Sequence, residues 1–137
     1  MARAPGHVKL EPMSLLPAFL AALDADSPEG FEDALFAFCK LKEVKANGKI
    51  EIGFFVRTIK PLGIGIGEKL TEASARTRER WLKRLATHEK AAVRCLACCV
   101  LGETGKRGPT SIVAIAHKLA ADDRWEVREC IANAFDD

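Results

Sequence analysis

The sequence predicts an all-α fold: a right-handed α-solenoid of about seven helices in stacked pairs, spanning residues 1–137 as a single domain. Three observations predict it. Leu85-Ala86 followed by Val93-Arg94 returns as Leu119-Ala120 followed by Val127-Arg128, thirty-four positions on and without a gap. Val93, Leu96, Ala97, Val100 and Leu101 then map onto Val127, Cys130, Ile131, Ala134 and Phe135, which is the i, i+3, i+4, i+7, i+8 spacing of one buried helix face. A two-helix unit of this length cannot bury its apolar faces alone, so it must stack on copies of itself.

The first helix runs from Ser14, a candidate N-cap, to about Leu23, with Leu16, Phe19, Leu20 and Leu23 on one face. Asp24 to Asp26 end it. Ser27-Pro28-Glu29 starts the second helix, with Pro28 in the first turn where a missing N–H costs nothing, and Phe31, Ala34, Leu35, Phe38 and Leu41 point inward. Asn47-Gly48 is a turn dipeptide. Lys49 to Ile52 alternates like a strand, yet every other segment reads helical, so a turn and a short helix ending before Pro61 is preferred, with a hairpin as the alternative.

Pro61-Leu62-Gly63-Ile64-Gly65-Ile66-Gly67 reads as a breaker leading into a long helix from about Glu68 to Ala86, with Leu70, Ala73, Thr77, Trp81 and Leu85 on its apolar side. Thr87 to Glu89 punctuate. The next helix holds Cys95, Cys98 and Cys99 and stops near a loop from Gly102 to Gly108 that carries Lys106-Arg107. Pro109 opens another helix with Ile112, Ile115, Ala116 and Leu119 inward, and Asp123 with Glu126 resembles a capping box for the last one. No polar capping repeat follows the Ala134-Phe135 edge. The expectation is a longer polypeptide, or a homodimer through the C-terminal repeat.

Hydrophobic content of 48% with 29% charged residues is that of a globular chain and argues against wholesale disorder. No apolar run approaches the roughly 18–20 residues a bilayer crossing needs, and the start lacks a secretory pattern, so no membrane partner and a cytoplasmic location are expected. The five cysteines are odd in number and three crowd one apolar helix, which favours reduced, buried thiols over disulfides. Cys95-x-x-Cys98-Cys99 lacks a second ligand pair, and Gly63-x-Gly65-x-Gly67 lacks the Lys-Ser/Thr of a P-loop, so neither a metal nor a cofactor is expected.

Net charge is only +2, but residues 71–107 carry nine basic against four acidic groups. Arg76, Arg80, Lys83 and Arg84 follow i, i+4, i+7, i+8 and form a stripe, with Lys90 just beyond it. Such a band is either a solvated helix face or a phosphate footprint with salt-sensitive binding. Arg94 and Arg128 hold equivalent repeat positions, so they either clamp phosphates side by side on a concave rim or form a ladder with acidic turns such as Asp122 and Asp123. Trp125 can stack on a base or pack against its neighbour.

The paired helices with Val-Arg at the head of the second resemble HEAT repeats. The run from Leu119 to Ile131 is similar to the HEAT-like DNA alkylation repair family, whose Ala-x-Asp-x-x-Trp-x-x-Arg pattern is matched by Ala120, Asp122, Trp125 and Arg128. Pro61-Leu62-Gly63-Ile64 also looks like a helix-opening turn of that family, and the resemblance covers roughly residues 54–135. It implies an α-solenoid cradling duplex DNA in its concave face and, for an enzyme, release of alkylated bases. The family's catalytic aspartate falls on Arg94 here, and its aromatic residue near Glu89 or Lys90. A carboxylate would stabilise a cationic sugar or lesion, whereas Arg94 would repel it. The resulting expectation is a nucleic-acid backbone binder using Arg76, Arg80, Lys83, Arg84, Lys90, Arg94, Trp125 and Arg128, with no identifiable catalytic residue. A protein-binding scaffold and an active alkylbase glycosylase are the alternatives.

Overall fold

In the computed structural model, residues 15–105 and 112–135 are described, and all regular structure among them is helical. Ser14, Lys106-Arg107 and Pro109, read from sequence as a cap, a basic loop and a helix start, lie outside the described residues. The helices are α1 (Leu16–Asp24), α2 (Pro28–Cys39), α3 (Lys42–Ala46), α4 (Ile52–Phe54), a π-helical stretch Phe55–Ile59, α5 (Lys60–Thr71), α6 (Ala75–Ala86), α7 (Ala91–Gly105), α8 (Ile112–Ala120) and α9 (Trp125–Ala134).

α7 is the central element. It is buried along nearly its whole length and packs against α5 on one side and α9 on the other, with α6 and α8 behind it. α6 also touches α8, and α1 pairs with α2 and leans on α5. Ring contacts join the N-terminal hairpin to the rest: Phe31 meets Phe19 edge-on at 5.3 Å and stacks on Trp81 of α6 at 4.2 Å. The result is a row α5–α7–α9 with α6 and α8 packed on α7, and the α1–α2 hairpin set against α5 and α6. In the matched pairs α6/α7 and α8/α9, the repeated Leu85 and Leu119 are buried, as are Val93 and Val127.

Local signals explain several boundaries. Ser27 Oγ accepts the Gly30 N–H at 2.9 Å and Pro28 opens α2, as the sequence indicates. Asn47 ends α3 in the left-handed region at φ 50°, which an asparagine tolerates, and its Oδ1 accepts the Ala91 N–H at 3.0 Å. α3 itself was not anticipated, and Leu41 lies in the link before it rather than in α2.

Other expectations are corrected. The Pro61–Gly67 segment is helix, not breaker, because its glycines are packing surfaces. A Cβ on Gly63 would come within 2.4 Å of the Cys99 Cβ, and one on Gly67 within 2.6 Å of the Glu103 Cβ, so their bare backbone lets α5 lie directly on α7. Pro61 is accommodated because the wider π turn preceding it relieves the crowding a proline ring imposes on the previous turn. The helix from Ile52 therefore does not end before Pro61, and the hairpin alternative is not formed.

The long helix expected over Glu68–Ala86 is two. α5 stops at Thr71, where Arg78 turns back to donate to the carbonyls of Leu70 (3.1 Å) and Ala73 (2.8 Å), and Ser74 Oγ caps α6 by accepting the Thr77 N–H. α7 is described to Gly105, within the Gly102–Gly108 stretch where its end is expected, and Gly102 inside it seats Ala134 of α9. The Asp123–Glu126 capping box is absent: Asp122, not Asp123, accepts the Arg124 N–H, and Glu126 turns inward to hold the Arg124 guanidinium.

The α5–α7 seam makes a prediction of unusual sign. Gly→Ala inside a helix ordinarily gains up to about 1 kcal/mol. Gly63→Ala is expected instead to lose about 2 kcal/mol in urea unfolding, because the added methyl overpacks the seam. Gly48→Ala, with nothing within 4 Å of the new methyl, should stay within about 0.5 kcal/mol of the parent. A stabilised Gly63→Ala protein would show that α5 and α7 do not touch there.

Candidate functional site

None of Arg76, Arg80, Lys83 and Arg84 of α6 lines the hollows found among the described residues. Arg80 Nη2 reaches Asp26 at 2.6 Å, and Arg84 forks onto both carboxylate oxygens of Glu32, so two of its four members bind the N-terminal hairpin. Lys83 pairs with Glu79 one turn back. Arg76 is exposed, and neither it nor Lys90 forms an ion pair among the described residues. Arg80 also lies over the Trp81 ring, 4.8 Å from its centroid.

Arg94 and Arg128 are brought together, on one turn. Arg94 grips the Asp122 carboxylate with two bonds of 2.8 and 3.1 Å and donates to the His88 carbonyl at 2.8 Å, while Arg128 donates to the Asp122 carbonyl at 2.6 Å. The Arg94 and Asp122 side chains are only 14% and 10% exposed. This is the ladder alternative: an arginine of one hairpin latching the connecting turn of the next. Burial alone would raise the Asp122 carboxyl, but the Arg94 and Arg124 N–H bonds outweigh it and hold it below the ordinary carboxylate range. Arg124 continues the network by donating to the Gly48 carbonyl at 2.8 Å and to the buried Glu126, whose carboxyl its hydrogen bond holds low.

Cys39 Sγ lies 3.9 Å from His88 Nε2. The pair is not primed for nucleophilic chemistry. The Lys90 N–H donates to His88 Nδ1 at 3.0 Å, so the neutral ring carries its proton on Nε2 and presents a donor, not a lone pair, to the thiol. Desolvation lowers His88 and raises Cys39, which keeps both neutral near pH 7. Cys95, Cys98, Cys99 and Cys130 are free and buried, and burial raises Cys98 and Cys99 well above the usual thiol range. Among the described residues no group of three His, Cys, Asp or Glu side chains is placed to hold a metal ion.

The concavity lies elsewhere, between the α4–α5 helix and α9, with α7 at the base of its inner part. Three hollows adjoin. One of about 280 Å³ is lined by Ile52, Phe55, Trp125, Glu129 and Cys130. The next shares Phe55 and Cys130 and is floored by Cys99 and Gly102 of α7. The third shares Lys60 and Ile64 with the second and ends at Val56, Pro61 and Leu16. The first two share Phe55 and Cys130 and form one groove, at whose mouth Ile52 (76% exposed) and Trp125 (54%) stand out, whereas Lys60 and Ile64 form a ridge between it and the third hollow on the α1 side of α5.

Of the eight residues expected from sequence to form a binding surface, Trp125 alone lines this groove. Ile52, Phe55, Ile64 and Cys130 were missed as members of a binding surface. Their signal was an excess of apolar residues: Ile50, Ile52, Phe54, Phe55, Val56 and Ile59 cover more of a helix circumference than one packing face requires. No helix among the described residues is long and apolar enough to cross a membrane. No family model, curated protein or solved structure matches this chain.

The Arg94–Asp122 latch is expected to set the acid limit of stability. A carboxyl whose folded pKa lies below its unfolded one stabilises the fold above the ordinary carboxylate pKa, and that contribution is lost as pH falls below about 4. Arg94→Met should cost about 3 kcal/mol at pH 7 by stranding Asp122, and should flatten the acid limb of the stability curve. Arg80→Met, which removes an exposed pair, should cost under about 1 kcal/mol. Equal small losses for both variants would show that Arg94 is not latched.

Proposed function

We propose that the chain is a HEAT-like helical-repeat scaffold, its pairs stacked as a short right-handed solenoid, that receives a helical segment of a partner protein in the groove between α5 and α9. The observation that carries this reading is the groove itself: two adjoining hollows between the α4–α5 helix and α9 that share Phe55 and Cys130, with Ile52 and Trp125 exposed at the mouth. Contiguous exposed apolar surface rimmed by polar groups marks interaction sites, and a trough flanked by two helices suits an amphipathic helix laid along it.

Nucleic-acid backbone binding is the second reading. It draws on the DNA-repair resemblance and on one observation, that the exposed pairs of Arg80 and Arg84 are of the kind worth under about 1 kcal/mol and so exchangeable for phosphate contacts. The groove reading has the stronger support, since it requires no existing contact to break. A glycosylase would need a free carboxylate, and Asp122, within the matched motif, is occupied by Arg94.

Intrinsic fluorescence separates these readings. Trp81 is buried and Trp125 half exposed, so changes at the groove dominate the solvent-sensitive emission. A Leu-faced amphipathic peptide is expected to shift the emission to the blue saturably, and Ile52→Asp to weaken that binding at least tenfold, about 1.4 kcal/mol. A mixed-sequence DNA duplex at low salt is expected to leave it unchanged. Saturable duplex binding abolished by reversing the charges of Arg80 and Arg84, with no response to the peptide, would overturn the proposal.

A further inference from the structure

We infer that the Trp125 end of the groove is a receptacle for the basic side chain, lysine or arginine, of the partner helix; this rests on the groove reading and makes it more specific. Three kinds of chemistry converge there. Trp125 and Phe55 supply aromatic rings, Ile52 an aliphatic wall, and Glu51 and Glu129 two carboxylates. Both carboxylates are on exposed residues, and neither enters an ion pair or side-chain hydrogen bond among the described residues. The third acid of this hollow, Glu126, is neutralised by Arg124, and Lys49 is the single basic residue in its lining.

A long basic side chain fits this combination better than any other protein group. Its methylene stem lies along Ile52 and an aromatic ring, as such stems do on apolar surface, while its charged end meets the carboxylates and the ring faces. An acidic side chain would meet two like charges against one opposite. The same arithmetic opposes a nucleotide: a base stacked on Trp125 would carry its phosphate toward Glu51 and Glu129. The adjoining hollow takes the partner's apolar side chains against Phe55, Ile64, Cys99 and Ala134, with Lys60, Glu103 and Asn133 as its polar lining. The occupant is thus an amphipathic helix with a lysine or arginine at the edge of its apolar stripe.

The test uses a scan of Leu-faced helical peptides carrying one arginine, moved through the positions that border the apolar stripe, and matched peptides with neutral, near-isosteric citrulline at the same place. Binding is read by Trp125 emission and by calorimetry at low and high salt. At the best position the arginine peptide is expected to bind at least fivefold tighter than its citrulline twin. In Glu51→Gln/Glu129→Gln protein, checked for native circular dichroism, that ratio should fall below twofold while the citrulline affinity is kept. Salt should weaken the arginine peptide selectively. Equal binding of the twins at every position would overturn the receptacle and leave the groove reading standing. No binding by any peptide would overturn both. A double variant that loses the citrulline peptide too would show that the carboxylates support the groove's shape and do not select a cation.

Discussion

Three missing side chains set the geometry on which everything else depends. Gly63 and Gly67 on α5, and Gly102 on α7, remove the Cβ atoms that would otherwise hold α5, α7 and α9 apart. Close approach on both sides leaves Cys99, Gly102 and Glu103 of α7 at the base of the inner hollow, with side chains from α5 and α9 as its walls. A helix carrying these glycines sacrifices intrinsic propensity, about 1 kcal/mol at each position, and recovers it only through the contacts that the bare backbone allows. The π turn before Pro61 belongs to the same solution, since it carries the chain past a proline and into the glycine face without a break in the helix.

Charge organises the molecule in a complementary way. The arginines that stand out in the sequence act mostly inside the fold: Arg78 closes the end of α5, Arg94 and Arg128 hold the Asp122 turn, Arg124 ties the Asn47-Gly48 turn to α9, and Arg80 and Arg84 fasten α6 to the N-terminal hairpin. Most of these bonds join one helix to a neighbouring element, although the exposed Arg80 and Arg84 pairs contribute little to stability. The consequence for function is that the positive band is largely neutralised by the neighbouring acidic turn and helix, whereas the carboxylates at the Trp125 end of the groove are left facing solvent.

What the sequence disclosed, and what it concealed, follow from the same physics. The helical hairpins after Thr71 were legible because buried Leu85, Leu119, Val93 and Val127 recur at a fixed spacing, and periodicity reports burial directly. The first two helices were legible from apolar stripes and from Ser27-Pro28. The Pro61–Gly67 segment was not, because proline and glycine punctuate a chain locally and only tertiary contact with Cys99 and Glu103 makes them helical. The ion-pair partners of the arginines were hidden for a related reason. Asp26 and Glu32 lie far from Arg80 and Arg84 in sequence, and no local pattern announces which acid a basic stripe will face. Trp125 stands out in the sequence, but its neighbours in the groove, Ile52 and Phe55, sit in the stretch where strand-like alternation masks a helix.

The most direct test of the central claim is a residue-resolved footprint. Backbone and side-chain chemical shifts of the labelled protein would be followed on adding an amphipathic helical peptide and, separately, a DNA duplex. The groove account predicts peptide-induced shifts concentrated on Ile52, Phe55, Ile64, Cys130 and the Trp125 indole, with α6 undisturbed. Shifts centred on Arg76, Arg80 and Arg84 with duplex, and none along the groove with peptide, would contradict it.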